Sequence, residues 1–162
     1  MPAAFVPGSF DPFHHGHLGV VRVAASLFDA VTVAVGYNPA KPSGMFTVDE
    51  RVEMIVESTN DLDNVQVTSF DGLVTSAARA HGADVLVKGI RTSTDLDVEM
   101  VQANTNAQTG NIHTLFVPGV GAAALVASRY LREIGIRGGD ISSLVPEPVW
   151  SAMQRKTGEL GQ

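Results

Sequence analysis

The sequence predicts a single-domain, doubly wound (Rossmann-like) parallel α/β sheet with helices on both faces. Short apolar segments, several of them rich in valine, alternate along the chain with longer segments of helical character. Their connections are short, and no internal repeat or long linker divides residues 1–162. This alternation is typical of parallel strands joined by crossover helices that cover both faces of the sheet. A chain of this length can bury one such core.

The predicted strands are short apolar runs bounded by turn residues. The clearest is AVTVAVG, whose continuous apolar character is expected of a parallel strand buried on both faces. The first run stops at Pro7 and Gly8. The full predicted set is Ala3–Val6, Ala30–Gly36, Val65–Ser69, Val85–Lys88 and His113–Val117.

The predicted helices are placed by their periodicity and by their end signals. Thr47 and Glu50 form a capping-box pattern that opens one helix. Gly82 and Gly110 mark the ends of two others. The full predicted set is Leu18–Leu27, the helix after Thr47 as far as about Ser58, Leu73–Ala80, Asp95–Gln108, Ala124–Ile134 and Pro148–Thr157.

Composition excludes several classes of protein. The chain has no cysteine, which excludes a disulfide framework and a cysteine-based zinc site and fits a cytoplasmic address. It has neither a membrane-length apolar run nor the pattern of a signal peptide, so we expect no membrane partner. A net charge of −6 argues against nucleic acid. Small anionic substrates remain possible, because a few local cations can bind them.

The informative segment is PGSFDPFHHGH, from Pro7 to His17, which follows the first strand and opens the first helix. In a doubly wound sheet, ligands bind outside the carboxyl ends of the strands. Gly8 would let the backbone turn and approach a ligand closely. The N–H groups of Gly16 and His17 are expected to point outward, toward a phosphate. His14 and His17 share a helix face, so both imidazoles could donate to a polyphosphate.

Two alternatives compete with this interpretation. The histidines could be ordinary surface residues, although two on one face beside a strand exit are less easily explained in that way. They could also bind a metal together with Asp11, but the spacing is not that of a zinc peptidase and no glutamate base follows. We therefore expect no metal bound by the protein's own side chains.

The segment resembles a known signature. His14-x-Gly16-His17, preceded by GSFDP, is similar to the (H/T)xGH motif of the nucleotidyltransferase superfamily. Further segments, in the same order, resemble conserved blocks of phosphopantetheine adenylyltransferases, and the resemblance covers nearly the whole chain. These segments are Asn38–Lys41 with Met45, Phe46 and Asp49–Arg51; Lys88–Thr92 with Asp95 and Glu99; and Gly138–Asp140 with Leu144–Val149.

The resemblance implies transfer of the adenylyl group of ATP to 4′-phosphopantetheine, giving dephospho-coenzyme A and pyrophosphate. It also implies a homohexamer and coenzyme A as a possible feedback ligand. By resemblance, His17, Lys41 and Arg91 are catalytic. The implied ATP-binding residues are Ser9, Phe10, His14, His17, Gly89, Ile90, Arg91, Glu99, Ser128 and Arg129, and the implied acceptor-binding residues are Ser9, Lys41, Val74 and Lys88.

This chemistry suits the residue types present. A phosphate monoester is largely dianionic at neutral pH and is already a nucleophile, so no general base or covalent intermediate is needed. Catalysis then rests on positioning and electrostatics. Lys88 is a good candidate because it ends an apolar strand and a glycine follows it. Magnesium is expected to arrive with ATP.

The sequence departs from the family pattern in two places. The first signature residue is usually threonine, whereas here it is His14. A run of serines that touches the triphosphate is replaced by Ala122–Arg129, in which Ser128 remains and Arg129 could supply a charge-assisted contact instead. Two other functions stay open. One is an adenylyl- or cytidylyltransferase acting on nicotinate mononucleotide or glycerol 3-phosphate, and the other is a catalytically weakened, nucleotide-binding regulatory protein.

Overall fold

The computed structural model describes residues 2–41, 44–119, 121 and 123–160. Within these residues, five parallel strands form one sheet in the order β3-β2-β1-β4-β5. The chain therefore winds outward from the central strand β1 to one edge, returns beside β1, and winds to the other edge. The switch point lies between β1 and β4. The strands are β1 (Ala3–Gly8), β2 (Ala30–Gly36), β3 (Val65–Phe70), β4 (Val85–Ile90) and β5 (His113–Pro118).

Six helices connect and cover these strands in the described part of the chain, and the predicted doubly wound α/β fold is confirmed. Thr47 caps α2 as its sequence predicts, because its hydroxyl accepts from the Glu50 N–H while the Glu50 carboxylate accepts from the Thr47 N–H. None of the described helices is long and apolar enough to cross a bilayer. The helices are α1 (His15–Leu27), α2 (Val48–Ser58), α3 (Val74–Ala80), α4 (Ser93–Gly110), α5 (Ser128–Ile136) and α6 (Glu147–Leu160).

The sheet is buried on both faces. Along β1, Ala4 and Val6 point into the larger core with α1, α2, α5 and α6, whereas Phe5 points to the opposite face, where it packs with Ala78 of α3. Burial on both faces explains why β1 and β2 read as continuous apolar runs.

Several helices and strands are longer than predicted, by one or a few residues at an end. Strand β4 continues to Ile90, and α4 begins at Ser93 with Thr92 as its N-cap. Gly110 is the last residue of α4 rather than the residue after it, and Asn111 follows in the left-handed conformation, with φ 46°. Such ends are set by capping contacts that periodicity does not reveal.

The prediction of a helix over Ala124–Ile134 was wrong at its N-terminal end. Residues 123–125 form a turn, residues 126 and 127 have no regular secondary structure, and α5 begins only at Ser128. The carbonyl of Val126 accepts a 2.8 Å hydrogen bond from the guanidinium of Arg91, which ties this segment to the end of β4. Ala122, the first residue of the segment that replaces the serine run, lies outside the described residues.

Candidate active site

Two cavities open at the carboxyl edge of the sheet, on either side of Ser9. The histidine cavity, of about 460 Å³, contains His14 and His17. The amide cavity, of about 450 Å³, contains the carboxamides of Asn38, Gln102 and Asn106. The two cavities have a common wall, formed by Pro7, Gly8, Ser9, Lys88 and Glu99. They meet at the switch point of the sheet, where doubly wound proteins bind ligands.

The histidine pair is held by hydrogen bonds to the backbone at the start of α1. The Nδ1 atom of His14 accepts from the N–H groups of Gly16 and His17, at 3.1 and 3.3 Å. The Nδ1 atom of His17 accepts from the N–H of His14 at 3.2 Å. Because both Nδ1 atoms accept, each neutral ring carries its proton on Nε2. The rings stack with their centroids 3.6 Å apart.

Both histidines are neutral at pH 7. Burial, with smaller contributions from the charges of Arg91 and His15, lowers the pKa of His14 from 6.5 to about 4. Burial, followed by the charges of His14 and Arg91, lowers the pKa of His17 well below its usual value. The buried Nε2 of His14 has no hydrogen-bond partner among the described residues. The pair therefore contains two neutral N–H donors, and the buried one, on His14, has no acceptor among the described residues.

The expectation that backbone N–H groups of α1 face a phosphate was wrong. The N–H groups of Gly16 and His17 are occupied by His14, and that of His15 donates to the carbonyl of Leu144 at 3.0 Å. Histidine is not among the residues that commonly cap helices, so the sequence pattern does not predict this role for its ring. The side chains, rather than the backbone of this turn, offer donors to a ligand.

Phe10 packs against the histidine pair through the ring of His17. Its ring is 4% exposed and stands edge-on to His17, with 5.0 Å between the ring centroids. Its backbone adopts φ 49°, which is unusual for a bulky residue. A Cβ on Gly8 would come within 2.7 Å of this ring, so Gly8 makes room for Phe10. The predicted contact of Phe10 with ATP stays a prediction.

The cations come from the end of β4 and the loop after it. The Nε of Arg91 donates to Asp95 at 2.9 Å, which fixes the guanidinium at the mouth of the histidine cavity. Lys88 lies in the common wall, with its Nζ 3.2 Å from the Oε1 of Glu99. Gly89 follows Lys88, and a Cβ at this position would approach a Val20 methyl group to 2.8 Å. A glycine therefore leaves room for α1 beside the end of β4.

Helix α5 brings a third group of side chains to the histidine cavity. Ser128 lines the cavity, and its hydroxyl donates to the carbonyl of Pro12 at 2.8 Å. Arg129 also lines it, and its guanidinium lies 5.4 Å from the Tyr130 ring. Arg132 lines the cavity too and was not predicted. Its spacing of three from Arg129 on one helix face is the sequence signal that could have found it.

Asp11 is a buried anchor rather than a free ligand. Its carboxylate accepts from the N–H groups of Met45 and Phe46, both at 2.9 Å, and lies 3.5 Å from the Nε of Arg51 and 3.7 Å from the Nη1 of Arg132. These contacts leave it engaged with the loop before α2. Within the described ranges, no three His, Asp or Glu side chains are grouped closely enough to hold a metal ion.

The comparisons with known proteins agree on one family. The model of the cytidylyltransferase-like family matches residues 5–142. A phosphopantetheine adenylyltransferase from Corynebacterium diphtheriae is 42% identical over 156 residues, which cover 96% of this chain and 98% of that protein. The chain belongs to the phosphopantetheine adenylyltransferase family.

Solved structures support the fold. A nicotinate-nucleotide adenylyltransferase structure from Vibrio parahaemolyticus has a TM-score of 0.68 at 17% identity and covers 95% of this chain and 99% of its own. A bifunctional NMN adenylyltransferase/ADP ribose pyrophosphatase from Francisella tularensis has a TM-score of 0.73 at 15% identity, covering 95% of this chain and 49% of its own. At such low identity these likenesses show the fold alone.

As a member of this family, the chain gathers nearly all of its predicted site residues at one edge of the sheet. The exception is Lys41, which lies exposed on the loop after β2 and lines neither cavity. Val74 lines the amide cavity beside Lys88, as its predicted contact with the acceptor requires. The predicted residues that line the histidine cavity are Ser9, Phe10, His14, His17, Lys88, Gly89, Ile90, Arg91, Glu99, Ser128 and Arg129.

Proposed function

We propose that the protein transfers the adenylyl group of ATP to 4′-phosphopantetheine, giving dephospho-coenzyme A and pyrophosphate by direct in-line displacement. The observation that carries this proposal is the common wall of the two cavities. The histidine cavity offers histidine and arginine donors suited to a triphosphate. The amide cavity offers carboxamides suited to the amide groups of the acceptor's pantetheine arm. The wall between them contains Lys88, where two phosphate groups would meet.

In this reaction the acceptor phosphate attacks the α-phosphorus of ATP, and the bond to the bridging oxygen of pyrophosphate breaks. The dianionic acceptor needs no base, so the protein contributes position and charge. The Nε2–H groups of His17 and His14 would donate to phosphate oxygens as negative charge moves onto the leaving group. Arg91, held by Asp95, would supply a fixed positive charge at the same place.

Magnesium would enter with ATP rather than bind to the protein first. Within the described ranges, no three-residue group of metal-binding side chains is available to hold the ion independently. Mg²⁺ commonly keeps several waters and is carried by substrate phosphates, which suits a cavity lined by donors. The ion would neutralise part of the triphosphate charge.

Pyrophosphate release separates this proposal from its alternatives. Purified protein with Mg-ATP should release pyrophosphate when 4′-phosphopantetheine is added. Nicotinate mononucleotide and glycerol 3-phosphate should give little or no release. Turnover with either of these instead would overturn the choice of acceptor. Binding of ATP without turnover of any acceptor would favour a regulatory protein, for which the altered segment before α5 is the supporting observation.

The family resemblance also supports proposals about the protein's oligomeric state, its location and its regulation. We expect a homohexamer in the cytoplasm, with coenzyme A as a feedback ligand. A coenzyme A inhibition curve measured against 4′-phosphopantetheine tests the last of these. Competition with the acceptor is expected, because coenzyme A carries the same pantetheine arm and would occupy the amide cavity.

A further inference from the structure

The common wall of the two cavities contains one ion pair. Lys88 projects from β4 and Glu99 from α4, with 3.2 Å between Nζ and Oε1. Their side chains are 24% and 21% exposed, so solvent and ligands can reach both. Each residue borders both cavities. A ligand in the amide cavity that reaches Lys88 therefore meets an ammonium group that is already paired with Glu99.

The amide cavity has no net charge of its own. Among the described residues that line it, Lys88 is the only cation and Glu99 is the only anion. A phosphate monoester carries about −1.5 to −2 charges at pH 7. Such a group is attracted by Lys88 and repelled by Glu99, and the two effects act within a few ångströms of each other.

We propose that the acceptor phosphate binds by taking Lys88 away from Glu99, so that Glu99 sets the affinity and the charge selectivity of the acceptor site. This inference rests on the proposed function. A dianionic phosphate competes successfully with a single carboxylate for the ammonium group. An uncharged or singly charged end group does not, because Glu99 retains the lysine. Glu99 is in this sense a specificity-determining residue.

The physical properties of the pair suit such an exchange. A partly exposed lysine–carboxylate pair contributes little net stability, so it opens at small cost. The lysine side chain is long and flexible, and its ammonium has three donors that can turn toward a new partner. Hydrogen bonds from an ammonium to a phosphate are charge-assisted, as are those to a carboxylate, and the larger negative charge of the phosphate favours the exchanged state.

Calorimetry in the absence of ATP tests the exchange. Glu99→Gln removes the competing charge and keeps the side-chain shape, so we expect 4′-phosphopantetheine to bind about tenfold more tightly. Pantetheine, which lacks the phosphate, should bind to Glu99→Gln as it does to the wild type. Asp97→Asn is the matched control, since Asp97 is an exposed carboxylate of α4 that borders neither cavity. It should leave both affinities unchanged.

A double-mutant cycle shows whether the effect runs through Lys88. Lys88→Gln should weaken binding of 4′-phosphopantetheine. Adding Glu99→Gln to it should recover less than the tenfold gain expected with Lys88 present, because only the direct repulsion between Glu99 and the phosphate is then removed. Unchanged or weaker binding in Glu99→Gln, or an equal gain for pantetheine, would refute the exchange. Inorganic phosphate titrated against the same variants decides the same question if the acceptor is a different phosphate ester. The proposed function is judged separately, by pyrophosphate release from the wild type.

Discussion

His14 supplies both a helix cap and a second hydrogen-bond donor, and a threonine in the same place would supply only the cap. Its Nδ1 caps α1, and its buried Nε2 has no hydrogen-bond partner among the described residues. Threonine would keep the cap through its hydroxyl but would lose the second donor. The imidazole has a cost as well, since a buried ring with a low pKa favours unfolding in acid. His14 therefore links the phosphate site to the pH dependence of stability.

Replacing His14 with threonine should flatten that pH dependence. The native pKa of His14, about 4, lies below the unfolded value of 6.5. As pH falls through this window, the unfolded chain binds a proton that the native protein does not, so stability falls. Each such histidine contributes a slope of about 1.4 kcal/mol per pH unit. Urea unfolding of His14→Thr between pH 6.5 and 4.5 should show a slope smaller by about that amount. Equal slopes in the two proteins would contradict the assigned pKa.

Replacing His17 with alanine should remove a donor from the transition state. The Nε2–H of this ring lies at the histidine cavity, and Nδ1 is engaged by the His14 N–H. We expect kcat for pyrophosphate release to fall by about 10²-fold or more, as for loss of one transition-state donor. The circular dichroism spectrum should be unchanged, because α1 keeps its buried face of Leu18, Val20 and Val21. A folded His17→Ala protein with near-normal kcat would show that the ring is not needed for the chemistry.

At the level of elements, the sequence was most informative where structure depends on neighbouring residues. The Thr47 capping box and the β2 strand appear as predicted. Prediction failed where a distant partner decides the outcome. The turns before α5 are joined to Arg91 by a hydrogen bond from a residue 35 positions away. Likewise, the Leu144 carbonyl accepts a hydrogen bond from the His15 N–H, and no local sequence pattern could reveal this contact.

The start of α5 belongs to the segment that, by resemblance, differs from the family pattern. Its N-cap, Ala127, makes no side-chain cap, and the Ser128 hydroxyl is occupied by the Pro12 carbonyl. Neither residue offers a free hydroxyl to a phosphate in this structure. The guanidinium groups of Arg129 and Arg132 are the donors that α5 brings to the histidine cavity. By resemblance, Arg129 stands where the family pattern has a serine, whereas Arg132 lies beyond that segment.

Arg129→Ser tests whether this replacement is functional. If Arg129 contacts the β- or γ-phosphate, the variant should bind ATP more weakly, by about tenfold for loss of one charge-assisted contact. Adding Ala127→Ser should recover part of the loss. That second change also supplies an N-cap, so its effect must be measured as the dissociation constant of ATP by calorimetry and not as thermal stability. An ATP affinity that Arg129→Ser leaves unaltered would mean that Arg129 is only a surface charge.

At the scale of the whole molecule, Asp11 connects parts that are distant in sequence. It contacts the backbone of the loop before α2, a guanidinium of α2 and a guanidinium of α5. The loop that carries Lys41 and the helix that carries Arg129 are thus both joined to the turn after β1. The sequence placed Asp11 in a signature but could not reveal this role, which depends on residues more than 30 positions away.

Helix α4 is largely exposed to solvent in a single chain. It has 18 residues, and only Gly110 is buried. Val98, Met100 and Val101 are 56%, 56% and 68% exposed, which is unusual for neighbouring large apolar residues on one helix. A homohexamer would explain this exposure, because contact between copies would remove these side chains from water.

Val101→Glu should therefore weaken the assembly without unfolding the chain. Burying an unpaired carboxylate at an interface is costly, whereas in a single copy the new side chain would remain in water. Light scattering should report about 100 kDa for the wild type, as expected for six copies of a 17.1-kDa chain, and a smaller mass for the variant. Val56→Glu is the control, since Val56 is exposed on α2, which packs on the larger core, whereas α4 packs beside α3 on the opposite face of the sheet. An unchanged mass in Val101→Glu would place the contact between copies elsewhere, and a wild type that scatters as a single chain would remove the hexamer altogether.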